Sequence, residues 1–166
     1  MNIPIILGTI REGRQSEKAA SFMLKKTLEK GFESEIIDVR DYLFKNKERL
    51  SEKIKKADAL IFVFPEYNHG YPGELKIMTD MLYSEYKGKP VGFCGVSSGG
   101  LGGARAVEQM RLVVIEFHMV PIREAVYFSN IKELFDDKGG IRDDSYNKRT
   151  DLFLEELSDY ARKLKK

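Results

Sequence analysis

The chain has 166 residues, 42% of them hydrophobic and 33% charged, and a single cysteine. That length suits one domain over residues 1–166, large enough to bury a core without disulfide staples. One cysteine excludes an internally bridged secreted scaffold, and 28 basic against 26 acidic residues leave +2, too small an excess for a surface that tracks nucleic-acid phosphates.

Residues 3–7, rich in isoleucine and followed by Gly8-Thr9, predict a buried strand. From Ser16 a helix is expected, with Ala20, Met23, Leu24, Thr27 and Leu28 on one face and Gly31 at its C-terminus. Residues 33–39 predict a second strand and residues 48–57 a charged surface helix. Residues 59–64 hold no polar position, as in a central strand covered on both faces. Residues 73–86 predict a helix with Leu75, Met78, Met81 and Leu82 on one side, and residues 90–96 a fourth strand. A helix over 103–117 aligns Val107, Met110, Val114 and Phe117. A fifth strand lies within 119–127, and a closing helix over 151–165 turns Leu154, Leu157, Ala161 and Leu164 inward. The longest apolar run, residues 59–65, is far shorter than the ~18 residues of a membrane span. No stretch reads as an export signal, so a cytoplasmic protein without a membrane partner is expected. Strand–helix alternation predicts an α/β fold with a parallel sheet and helices on both faces. Five strands favour the flavodoxin-like order 2-1-3-4-5.

In such a sheet, ligands bind beyond the carboxyl ends of the strands, near the point where strand order reverses. Three loops there are unusual. The first, residues 8–16, carries Thr9, Arg11, Arg14 and Ser16 ahead of a helix N-terminus. Free helix N–H groups, two hydroxyls and two guanidiniums suit a phosphate monoester. The loop matches neither the dinucleotide glycine pattern nor the P-loop. The bland alternative has Ser16 merely capping the helix and the arginines solvated. The second loop, residues 65–73, follows the most apolar strand and holds Pro65, Glu66, Tyr67 and Asn68. Its prolines and glycines fix an irregular backbone, while Tyr67 and Asn68 offer a face and an amide edge to a flat heteroaromatic ring. A stiff connection with locally packed tyrosines is the alternative. His69 has no acidic or thiol neighbours at ligand spacing and reads as a loop residue rather than a base or metal ligand. The third loop, residues 97–103, has four glycines in seven residues, which lets the backbone approach a ligand just before a helix begins. A plain flexible connector is the alternative there. Cys94, inside the fourth strand, reads as a small buried hydrophobe.

Gly8-Thr9-x-Arg11-x-x-Arg14-x-Ser16, Pro65-Glu66-Tyr67-Asn68-His69 through Pro72-Gly73-x-Leu75-Lys76, and Ser98-Gly99-Gly100-x-Gly102-Gly103 together resemble the NAD(P)H-dependent FMN reductase family. The resemblance implies a flavodoxin-like oxidoreductase with bound FMN and with NADPH or NADH as electron donor. Its acceptor would be a small molecule such as a quinone, an azo compound, chromate or free flavin. By the same resemblance Thr9, Arg11, Arg14 and Ser16 hold the FMN phosphate. Pro65, Glu66, Tyr67 and Asn68 lie along the ribityl chain and isoalloxazine, and Ser98, Gly99, Gly100 and Gly103 sit near the flavin ring. No catalytic side chain and no metal is implied, because the flavin carries the hydride. Arg14 departs from the family pattern, where serine is more usual. Relatives of this kind form dimers or tetramers, which implies a homo-oligomer with contacts among residues 81–86, Phe117 and Tyr127. The rival readings are an FMN-bearing electron carrier reduced by a partner protein, and a flavodoxin-like module that binds no flavin. Near-neutral charge argues against the carrier, whose steered docking usually shows one dominant sign.

Overall fold

A computed structural model describes residues 1–165 and contains a parallel sheet of five strands in the order β2-β1-β3-β4-β5. The strands are β1 (Ile5–Leu7), β2 (Ile36–Asp38), β3 (Leu60–Pro65), β4 (Pro90–Val96) and β5 (Val120–Phe128). Between and after them run α1 (Ser16–Glu29), α2 (Val39–Tyr42), α3 (Lys47–Lys56), α4 (Gly73–Asp80), α5 (Ala104–Glu116), α6 (Ile131–Leu134) and α7 (Ser145–Leu164). The expected α/β class and strand order are both observed.

Alternation along each strand divides the apolar residues between two cores. Ile5, Leu7, Ile61, Val63 and Cys94 pack under α1 and α7, while Ile6, Phe62, Phe64 and Phe93 pack under α3, α4 and α5. Both faces of β3 and β4 are therefore covered, which is why their sequences show no polar alternation. Cys94 is fully buried, and that burial pushes its thiol pKa up, away from redox reactivity. Among the described residues, no helix is long and apolar enough to cross a membrane.

Several expected boundaries move. Strand two is confined to Ile36–Asp38, because the Asp38 carboxylate accepts the Arg40 N–H at 3.0 Å and starts α2 at once. The helix expected over 73–86 stops at Asp80. The Thr79 hydroxyl bonds back to the Leu75 carbonyl at 2.8 Å, and the amides of Met81 and Leu82 tighten onto Met78 and Thr79. A 3₁₀ turn, Ser84–Tyr86, follows and brings Tyr86 fully inside. Helix α7 begins at Ser145 rather than at residue 151, held by Tyr146, whose ring stacks on Phe128 at 5.3 Å, and by buried Thr150. Leu28 and Leu164, placed on inward faces from spacing alone, are exposed.

Strand order reverses between β1 and β3, so the loops that leave these two strands diverge and open a cleft above the sheet. The loop after β4 closes its far side.

Candidate functional site

The loop after β1 is anchored from below and from the side. Thr9 is buried, and its Oγ1 lies 3.0 Å from the Tyr67 hydroxyl. The same oxygen donates to Glu74 Oε1 at 3.0 Å and accepts the Arg11 N–H at 3.3 Å. Glu74 Oε1 also accepts the Ile10 N–H at 3.2 Å, so this loop is tied to α4 as well as to the loop after β3.

Arg14 does not reach into open space. Its side chain is 2% exposed and forms a two-pronged pair with Asp38, Nη1 donating to Oδ1 at 2.9 Å and Nη2 to Oδ2. Nη1 also donates to the Thr9 carbonyl. The hydrogen bond to Asp38 raises the guanidinium pKa. Burial pushes the Asp38 carboxyl up, but the hydrogen bonds from Arg14 and from the Arg40 N–H outweigh it and hold the group below its usual range. From the same side, Arg40 donates Nε to the Ile10 carbonyl at 3.2 Å and Nη2 to the Arg11 carbonyl at 2.6 Å.

Past Arg11 the loop has the opposite character. The amide N–H groups of Glu12, Gly13, Arg14, Gln15 and Ser16 meet no acceptor among the described residues. Ser16 is the first residue of α1, not its cap, and its buried hydroxyl has no partner. A row of open N–H groups, an orphaned hydroxyl and a helix N-terminus together form a receptacle for an anion.

This receptacle is one end of a cleft of about 430 Å³. Its walls are the loop from Arg11 to Ser16, then Pro65, Glu66 and Tyr67, then Val96 to Ser98, with Ile131 and Lys132 of α6. Arg11, Arg14, Ser16, Pro65, Glu66, Tyr67 and Ser98 are thus brought together as candidate residues, with Thr9 beneath Tyr67. The Arg11 guanidinium lies 5.7 Å from the Tyr67 ring centroid, leaving its charge near the mouth.

The other candidates fall outside these walls. Asn68 sits in the turn closed by paired Tyr67 and Gly70 backbone bonds of 2.9 Å. Gly99 and Gly100 border open space. Gly103 presses on β4, where a Cβ would meet Val96 N at 2.7 Å. Glu66 lines the cleft, and its carboxylate is engaged away from it. Its carboxylate accepts Arg105 Nε at 2.7 Å and the Arg105 N–H at 3.2 Å, capping the first turn of α5 and locking the second loop onto the third. Lys132 belongs to no motif and lies in a stretch to which the sequence assigns no element. Its only signal was its place just past the carboxyl end of the fifth strand.

The chain is similar to known proteins over most of its length. A family model described as NADPH-dependent FMN reductase matches residues 1–133. An NAD(P)H-dependent FMN reductase of Pseudomonas aeruginosa is 32% identical over 71% of this chain and 66% of its own length, so the chain spans just under two thirds of that relative. A quinone reductase of Pseudomonas putida is 28% identical over 86% of this chain and 85% of its own. The solved structure of an NAD(P)H:(acceptor) oxidoreductase flavoenzyme from Paracoccus denitrificans superposes with a TM-score of 0.85 at 24% identity, covering 98% of this chain and 97% of that one.

Proposed function

The chain belongs to the NADPH-dependent FMN reductase family, and we propose that it is an FMN-dependent oxidoreductase that draws on NADPH or NADH and serves a small electron acceptor. The observation that carries this reading is the orphaned, buried Ser16 hydroxyl beside open N–H groups at one end of a cleft walled by Tyr67. Those donors fit a phosphate monoester, and a cleft of about 430 Å³ with Tyr67 in its wall leaves room for the flat body of the same cofactor. FMN, when bound there, would supply the redox chemistry, namely hydride acceptance and electron release, that the side chains of the cleft do not provide.

The chain's own residues bind and orient. The N–H groups of Glu12 to Ser16 and the Ser16 hydroxyl hold the phosphate, while Arg11 and Lys132 supply free positive charge at the mouth. Tyr67 forms a wall, fixed by its hydroxyl on Thr9. Glu66, through Arg105, sets the spacing between the Tyr67 segment and the glycine loop. Gly99 and Gly100 present no side chain that would obstruct a flat molecule. Among acceptors, a quinone is the first to test, since quinone reductase is the name carried by a relative that aligns over most of the chain.

Self-association belongs to the same proposal. Ile77, Tyr83, Leu112 and Ile115 stand exposed on α4, the turn after it and α5, beside a hollow of about 780 Å³ that Val113 and Phe117 help to line. An apolar face of this kind suits a second copy of the chain. Phe117 is itself buried and Tyr127 half-buried, so the contact surface lies on those four residues instead. Sedimentation is expected to return at least a dimer mass, and Leu112→Glu to return a monomer. A monomeric parent protein would refute this part.

The function is tested on FMN-loaded protein under anaerobic conditions. Prompt loss of flavin absorbance on adding NADPH or NADH, restored by a quinone, is the expected result. No bleaching without a partner reductase would favour the electron-carrier reading. A colourless protein that FMN does not stabilise against heat would refute both.

A further inference from the structure

Given the phosphate site just proposed, we infer that Asp38, Arg14 and Arg40 form a brace that sorts the peptide groups of the loop after β1, carbonyls away from the anion and N–H groups toward it. Arg14 is then a positioning residue through its Nη1 and Nη2 groups.

Every residue of the loop brings one donor and one acceptor, and a carbonyl oxygen turned toward a phosphate repels it. The structure deals with the carbonyls in order. Thr9 O accepts from Arg14, and Ile10 O and Arg11 O accept from Arg40. All three oxygens are thereby drawn toward the end of β2. The N–H groups of Ile10 and Arg11 are used internally, by Glu74 and Thr9 Oγ1. Only after this point do the amides run free, from Glu12 to Ser16, into the α1 N-terminus.

Asp38 is the keystone. One carboxylate oxygen takes Arg14 Nη1 and the Arg40 N–H, and the other takes Arg14 Nη2. It therefore orients Arg14 directly and sets the start of α2, from which Arg40 reaches across. The Arg14 charge is offset by Asp38 in a partly buried pair, so the positive charge left at the cleft is that of Arg11, Lys132 and the helix end, set against the carboxylate of Glu12. Nη1 and Nη2 of Arg14 could reach a phosphate only by abandoning this two-pronged partner, and the buried Nε, which has no hydrogen-bond partner, is the one guanidinium nitrogen left over.

The brace and simple electrostatics predict opposite signs for one substitution. Asp38→Asn removes a negative charge near the site, so a freed Arg14 would tighten FMN. If Asp38 holds the loop, the same change loosens it. The measurement is the ratio of riboflavin to FMN dissociation constants, because riboflavin lacks only the phosphate. In the parent protein FMN is expected to bind far more tightly than riboflavin. Asp38→Asn and Arg40→Met are each expected to reduce this ratio roughly tenfold, with riboflavin affinity nearly unchanged. Arg40 is half-buried, and Arg40→Lys, which keeps the charge but loses the guanidinium's reach to two carbonyls, is expected to lower the ratio as well and keeps the test intact if Asp38→Asn does not fold. An unchanged or larger ratio in any folded variant overturns the brace. A parent protein that binds FMN no better than riboflavin overturns the phosphate site, and the brace with it.

Discussion

Replacing Ser16 by aspartate is expected to weaken FMN binding by roughly 100-fold or more while leaving riboflavin affinity within about twofold. Ser16 is 1% exposed, begins α1 and carries a hydroxyl with no partner, at the end of the cleft where N–H groups converge. A carboxylate there would occupy those donors and repel a phosphate at close range. Two unit charges 4 Å apart at an effective dielectric of 20 interact by about 4 kcal/mol, more than the roughly 2.7 kcal/mol that a 100-fold loss requires. The fold should survive, because an acidic side chain in the first turn of a helix is favourable. Ser16→Ala removes one donor and keeps the rest, so a loss of only about tenfold is expected. Flavin fluorescence on titration measures both ligands, and a melt without flavin checks folding. Retained preference for FMN over riboflavin in Ser16→Asp would move the phosphate elsewhere.

The placing of this loop was legible from the residues alone, since a strand ending at Leu7 and a helix starting at Ser16 put it at the carboxyl edge of the sheet. What Arg14 does there was not. An arginine among hydroxyls has the composition of a phosphate ligand, and its partner Asp38 lies at the end of the neighbouring strand. Only the pairing of β1 with β2, Leu7 opposite Asp38, brings the two together. Glu66 was hidden in the same way, as it belongs to one loop by sequence and caps α5 through Arg105 in space. The break after Asp80 has no signature in the spacing, because Met81 and Leu82 keep apolar positions across it and the Thr79 hydroxyl that loosens the helix leaves no periodic signal. The opening turns of α7 are polar apart from Tyr146, which left the stretch without a helical stripe. Periodicity thus reported which faces are buried, and it was silent wherever one polar group meets another at long range.

The glycine loop carries the same lesson into a measurable difference, because its glycines look alike in sequence and are not equivalent in space. Gly103→Ala is expected to destabilise the protein by about 3 kcal/mol or more. Gly103 has φ +85°, a conformation that costs an L-residue about 1–2 kcal/mol by itself. Its added Cβ would also stand 2.7 Å from Val96 N and 3.0 Å from Gly95 C, atoms of the interior strand β4 that have no room to retreat. From the other side, a Cβ on Gly95 would meet Gly102 O at 2.6 Å, so the loop and the strand require each other's missing side chains. Gly99 and Gly100 are free of both constraints: neither has a positive φ, and a Cβ on either meets nothing within 4 Å. Gly99→Ala and Gly100→Ala are therefore expected to leave urea stability within about 1 kcal/mol of the parent, with any gain coming from a less mobile unfolded chain. If Gly100 leaves room for the flat ring of a flavin, Gly100→Ala weakens FMN and riboflavin alike, a signature distinct from that of Ser16→Asp. Equal unfolding midpoints for Gly103→Ala and Gly100→Ala would mean that the loop does not rest on β4, and the assignment of its second half to the fold would be wrong.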